Sequence, residues 1–172
     1  MHDVQPDTVN GTAGSASTAA SASGIRIRPA TAADSETIKR MVRAEPLNPN
    51  AVDWRYFYVL DVTEPEGDTA IIASIAMAHP VEHAEGGPLY EIDSVTTRPQ
   101  YRKRGYSSLL LRAVIDCTPR PIYLLAEPAL VAFYERLGFR ITPPADAPAP
   151  IREEAAYVNA RWGTYHIMGL VG

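Results

Sequence analysis

Three cations and a glycine stand together at Arg102, Lys103, Arg104 and Gly105, followed by Tyr106 and Ser107. Before them, Leu89 to Thr97 has strand character. After them, an apolar helix is expected over Ser108 to Cys117. A helix begins with backbone N–H groups that have no partner inside it, and with the positive end of its dipole. Cationic side chains beside such a start make a site for an anion. Gly105 has no Cβ, so a phosphate can come close to the backbone. The stretch reads as a pyrophosphate cradle. With one glycine it is not a dinucleotide-binding fingerprint. It also lacks the second glycine followed by Lys and Ser or Thr that a Walker loop requires.

The strand before the cradle carries the other reactive side chains. Residues alternate across a strand, so Glu91, Asp93 and Val95 share one face. Partial burial, or repulsion between the two carboxylates, raises a carboxyl pKa to where it can accept a proton. Elsewhere the signals are weaker. His79, His83 and His166 are scattered, with no ligand spacing and no cysteine partner, so no metal site is expected. Cys117 falls on the apolar stripe Leu110, Val114, Cys117 and reads as a core residue rather than a nucleophile.

The spacing of the cradle resembles motif A of the GNAT superfamily of acyl-CoA-dependent N-acyltransferases, Gln/Arg-x-x-Gly-x-Gly/Ala. Arg102 and Gly105 match, and Ser107 stands at the final small position. A second block, Phe133 to Phe139 (FYERLGF), resembles motif B of the same family. The resemblance is to bacterial members of unassigned substrate. Leu47 to Pro49 and Trp54-Arg55 resemble their substrate-side loop, although Trp54 reads more readily as a core aromatic.

The resemblance implies an N-acetyltransferase. It would move an acetyl group from acetyl-CoA to a primary amine of a small molecule or peptide by direct attack in a ternary complex. A non-catalytic acyl-CoA sensor is the alternative, but it would need no acid and no base. In family members that use a strand carboxylate as base, the glutamate lies eleven residues before the first motif A position, which makes Glu91 the implied base and Asp93 its competitor. Tyr134 falls where the family places the acid that protonates the CoA thiolate, with Phe133 taking the packing role. The backbone N–H of Val95 would meet the thioester carbonyl, and the backbone of Thr97 the pantetheine arm. Arg102, Lys103, Arg104, Gly105, Tyr106 and Ser107 would hold the pyrophosphate, Ser107 with its hydroxyl. Glu127 departs from the pattern. Many members have an Asn there that contacts the cofactor, whereas Glu127 would serve a helix start.

The elements must position these residues. The chain has 172 residues, 46% of them hydrophobic and 21% charged, which fits one globular domain. A net charge of −4 argues against a general nucleic-acid binder. No apolar run reaches the ~18–20 residues of a membrane span. A single cysteine excludes an internal disulfide, and a cytoplasmic location is expected. Residues 1–24 form an Ala/Ser/Gly-rich stretch expected to be a disordered tail, and residues 25–172 the domain.

Within the domain, Ile25 to Arg28 alternates as a strand. Thr31 reads as an N-cap, and Ile38, Met41 and Val42 form the inner stripe of a helix running to about Ala44. Strands are expected over Arg55–Val62, Thr69–Ala78, Leu89–Thr97 and Pro121–Leu125. A helix is expected over Glu127–Leu137 with Leu130, Phe133 and Leu137 inward, and Gly138 as its left-handed cap. A strand begins at Phe139, a helix is expected over Ile151–Arg161, and a final strand over Thr164–Val171. This is an α+β order, and the resemblance turns it into a specific expectation. The GNAT fold is a mixed, mostly antiparallel sheet of six to seven strands flanked by helices. A V-shaped splay between the fourth and fifth strands holds the pantetheine arm. Acceptor identity and oligomeric state stay open, a homodimer among the options.

Overall fold

A computed structural model of the chain describes residues 24–45, 52–63, 70–82 and 87–172. The tail, Leu47 to Pro49, the turn at 65–68 and His83 lie outside the described residues.

Seven strands form one sheet: β1 (Ile25–Pro29), β2 (Phe57–Thr63), β3 (Ala70–Val81), β4 (Leu89–Thr97), β5 (Ile122–Ala126), β6 (Arg140–Ile141) and β7 (His166–Leu170). Their spatial order is β1-β2-β3-β4-β5-β7-β6. All neighbours are antiparallel except β4 and β5, which run parallel. A parallel step needs a crossover, and α2 (Tyr106–Cys117) supplies it.

Helices cover both faces, as sheets with two apolar faces require. On one face Leu110, Leu111, Val114 and Ile115 of α2, with Tyr134 of α3 (Val131–Glu135), pack on Leu60, Ile92, Ile122, Leu124 and Met168. On the other, Ile38, Met41 and Val42 of α1 (Ser35–Arg43) pack on Phe57, Val59, Ile75 and Met77. The same face carries α4 (Ala149–Trp162), whose Ile151 and Ala155 pack on Leu89, Tyr123 and Ile167. Asp93 pairs with Met77 of the first of these clusters, and Glu91 lies two residues from Leu89 of the second. The two acids therefore sit between the footprints of α1 and α4.

Several boundaries differ from expectation for local reasons. Gly105, at φ 78°, is the N-cap of α2, so the helix starts at Tyr106 rather than Ser108. Pro128 opens a 3-10 turn, Pro128–Leu130, before α3. A 3-10 turn has about 3.0 residues per turn, which rotates what precedes the α-helix. Leu130 is therefore 43% exposed instead of inward, and Tyr134 and Phe139 are the buried aromatics. Cys117, expected in the core, is exposed. It is the last residue of α2, its thiol turns back to the Val114 carbonyl at 3.3 Å, and Thr118 takes the buried position. Gly138 has the expected positive φ, 101°, and the Phe139 N–H returns to the Tyr134 carbonyl. Among the described residues, no helix is long and apolar enough to cross a membrane.

Candidate active site

The parallel pairing of β4 with β5 covers only Tyr90 with Ile122 and Glu91 with Tyr123. Beyond Glu91, residues Ile92 to Thr97 have no partner on β5. The splay expected between the fourth and fifth strands is therefore present, and it begins at Glu91. On its other edge β4 is irregular. Ile75 pairs with Thr96 and Met77 with Asp93, so Ser94 and Val95 together oppose Ala76. This is a β-bulge, which bends its strand and disturbs the ladder. Ser94 adopts φ 49° to make it. Val95, the expected oxyanion donor, lies in this bulge within the opened part of the strand.

At the end of the opening, Thr97, Tyr101, Arg102, Lys103, Gly105, Tyr106, Ser107, Ser108 and Phe133 line a concavity of about 250 Å³. It faces the first turn of α2, where unpaired N–H groups and the dipole favour an anion. Thr97 and five of the six expected cradle residues line it. Arg104 does not, and its guanidinium lies 5.4 Å from the centre of the Tyr101 ring. A Cβ at Gly105 would meet nothing within 4 Å, so the glycine is required by its positive φ rather than by crowding.

Two of these residues are committed to the protein. Arg102 donates Nε–H to the Thr97 carbonyl at 2.9 Å and pairs with the Glu45 carboxylate, tying the turn to β4 and to the end of α1. Ser107 belongs to a hydroxyl chain. Ser74 Oγ lies 3.1 Å from the Thr96 carbonyl, which can only accept, so Ser74 donates there. Thr97 Oγ1, 2.8 Å away, must then donate to Ser74, and Ser107, 2.8 Å further on, must donate to Thr97. Ser107 thus offers the concavity lone pairs rather than the expected hydroxyl donor. Donors for an anion there are the backbone N–H groups and Lys103.

Glu91 and Asp93 share the α1/α4 face, as alternation requires. Glu91 is 3% exposed. Burial, with the negative charges of Glu154 and Asp93, pushes its pKa up to about 8, against the pull of His79. Asp93 Oδ1 is buried without a hydrogen-bond partner. His79 lies directly across the ladder from Glu91, and its Nε2 is 3.7 Å from an oxygen of each acid.

Tyr134 is 7% exposed and makes edge contacts with Phe133 and Phe139, at ring-centre distances of 5.0 and 6.1 Å. Burial, then the charge of Glu127, pushes its pKa up to about 12, so it keeps its proton. The expected division of labour is reversed in packing. Phe133 lines the concavity, while Tyr134 is set into the core. Glu127 caps no helix with its side chain, and it accepts a hydrogen bond from the Tyr165 hydroxyl at 3.1 Å.

The sequence pattern does not mark Glu154, Glu45 or Ser74 as site residues, and it leaves His79 among scattered histidines. Each reaches the site by strand register or helix docking, which spacing along the chain does not reveal. One signal was available: the long β3 run, laid antiparallel to β4, brings His79 close to the acids.

A family model, "Acetyltransferase (GNAT) family", matches residues 29–139. No curated protein matches. Solved structures show the same fold at low identity. N-acetylglutamate synthase from Neisseria gonorrhoeae, complexed with coenzyme A and N-acetyl-glutamate, aligns with TM-score 0.63 and 18% identity over 84% of this chain and 34% of that one. This chain therefore spans about a third of the synthase. The NatC complex bound to Gag peptide and CoA aligns with TM-score 0.66 and 18% identity, covering 86% of this chain and 98% of that chain. Arabidopsis thaliana NAA60 in complex with acetyl-CoA gives 0.60 and 16%, covering 85% and 97%.

Proposed function

Since the chain belongs to the GNAT acetyltransferase family, we propose that it transfers an acetyl group from acetyl-CoA to the primary amine of a small molecule or peptide. The observation that carries this reading is the juxtaposition along β4. Pairing with β5 stops at Glu91, a buried carboxyl with a raised pKa, and the strand then runs open to the concavity at the start of α2.

In this reading the pyrophosphate lies on the first turn of α2, held by backbone N–H groups and Lys103. The unpaired edge of β4 takes the amides of the pantetheine arm, much as a missing strand would. An ammonium acceptor reaches the face between α1 and α4 and gives a proton to Glu91 through water. The free amine attacks the thioester carbon, and the oxyanion that forms takes the Val95 N–H. As the C–S bond breaks, the Tyr134 hydroxyl gives its proton to the thiolate. The attacking nitrogen, cationic after addition, loses its second proton, which restores the Tyr134 hydroxyl, and the proton on Glu91 returns to solvent, leaving the amide and CoA thiol.

Release of CoA thiol from acetyl-CoA over a panel of amines tests the reading. Wild type should release thiol with at least one class of amine. Glu91→Gln and Tyr134→Phe should each lower kcat by about tenfold or more, in line with the usual contribution of a positioned acid or base. Lys103→Ala should weaken acetyl-CoA binding, since Lys103 is the cationic side chain lining the concavity that is not committed to the protein as Arg102 is. Binding of acetyl-CoA with no turnover on any amine would mark a sensor instead. Variants of Glu91 and Tyr134 that stay within twofold of wild type would remove both role assignments.

A further inference from the structure

Among the described residues, His79 is the one base facing Glu91 and Asp93. Its Nδ1 lies 3.3 Å from the Pro80 carbonyl. A carbonyl oxygen only accepts, so Nδ1 carries the hydrogen of that contact. The other nitrogen, Nε2, is then turned to Glu91 Oε2 and Asp93 Oδ2, both at 3.7 Å. A neutral ring would present a lone pair to the Asp93 carboxylate and, once Glu91 is ionised, to a second one. A protonated ring presents an N–H and a positive charge to both. Register enforces the placement, since His79 and Glu91 are directly paired on β3 and β4. The ring is only one-quarter exposed, and Tyr56 lies against it with ring centres 6.3 Å apart.

We propose that His79 is a positioning residue for the general base. Its imidazolium, held by the Pro80 carbonyl, bridges Glu91 and Asp93 and favours the charged form of Glu91 that can accept the acceptor's proton. This rests on Glu91 being the base of the proposed acetyl transfer. His79 itself gives up no proton in the step. Its charge offsets the repulsion on Glu91 from Asp93 of the same strand and from Glu154 of α4, the other ionised groups that face it. Burial pulls the ring toward neutrality, but the closeness of Asp93 and the charges of Asp93 and Glu91 outweigh it and raise its pKa. Among the described residues, no group of three or more His, Cys, Asp and Glu side chains is arranged to hold a metal ion.

The pH dependence of kcat/KM tests this in the full chain, with wild type, Glu91→Gln, His79→Gln and His79→Lys. Loss of the cation should move the acid limb of the profile upward by about one pH unit or more in His79→Gln. Activity at pH 7 should then fall about tenfold, with recovery toward wild type above the shifted limb. His79→Lys, which keeps the charge, should leave the limb near its wild-type position. A uniform loss at every pH in His79→Gln, or no change at all, would overturn the proposal. Should Glu91→Gln prove fully active, the base assignment itself has failed, an outcome that the Glu91 variant reports separately from His79. If His79→Gln does not fold, titration of the His79 ring by NMR in wild type decides the matter. The ring should be protonated at pH 7, and a ring already neutral at pH 6 refutes the idea.

Discussion

Glu91 carries opposing demands. A buried carboxyl serves as base only if it can be charged, and burial opposes the charge. Its pKa of about 8 means that the folded chain holds this proton while the unfolded chain, with an ordinary value of 4.5, releases it. Between those values the unfolded state loses protons that the native state keeps, so stability falls as pH rises, and it levels off above about 8. Glu91→Gln has nearly the same shape and no charge. The melting temperature of this variant relative to wild type should therefore be higher at pH 8.5 than at pH 4.5. An equal difference at both pH values would contradict the raised pKa. The same residue sets the rate. In wild type kcat/KM should rise with pH through about 8 as the base loses its proton. At this scale the sequence was informative about identity and only partly about engagement. Glu91, Asp93 and the cradle residues were legible from alternation and spacing. The commitment of Arg102 to Thr97 and Glu45, the direction of the Ser107 hydroxyl and the station of His79 were not, because each depends on partners 5 to 57 residues away or on strand register.

At the scale of elements, β4 does the positioning. Its first residues pair on both sides and hold Glu91, and its last six are open toward β5. The bulge at Ser94 and Val95 bends it between these two parts. Ser94 sits at φ 49°, where an L-residue is strained and a β-branched side chain most of all. Ser94→Val should destabilise the chain by about 1–2 kcal/mol, measured by denaturant unfolding, and should reduce acetyl transfer by moving the Val95 amide. Gly105 is the matching feature at the head of α2. Gly105→Ala meets no atom within 4 Å but must hold φ 78°. It should cost about 1 kcal/mol of stability and weaken acetyl-CoA binding. The β4–β5 splay follows from the family resemblance. The bulge has no signature in sequence, since Ser94 and Val95 are ordinary strand residues whose spare position appears only against β3.

For the whole molecule, the N-terminal strands and α1 are joined by one cation. Arg28 of β1 donates to Asp61 of β2 at 2.7 Å and to Asp34, just before α1, at 2.7 Å. Asp34 also accepts from the Thr31 N–H and hydroxyl, at 2.7 and 2.8 Å, which closes the entry to α1. The Arg28 hydrogen bond holds the Asp34 carboxyl well below the usual range, against the opposing effect of burial. The sign is opposite to that of Glu91. This stability is present above the ordinary carboxylate pKa and is lost as pH falls through the folded one. Arg28→Ala leaves two buried carboxylates unpaired and should cost about 3–5 kcal/mol at pH 7. The loss should shrink toward acid pH, which a pH series of urea titrations would check.

The linear chain by itself determined the element types, the apolar stripes, the glycine turn before α2 and the acids on one face of β4. Each of these depends on neighbours within about a turn or two, where periodicity and steric freedom act directly. Tertiary structure alone decided that β7 enters the sheet between β5 and β6, that Tyr134 rather than Leu130 packs inward, and that His79 stands over both acids. Those outcomes depend on which surfaces meet after collapse. Register and docking are long-range choices, set by burial of the whole core rather than by any local run of residues.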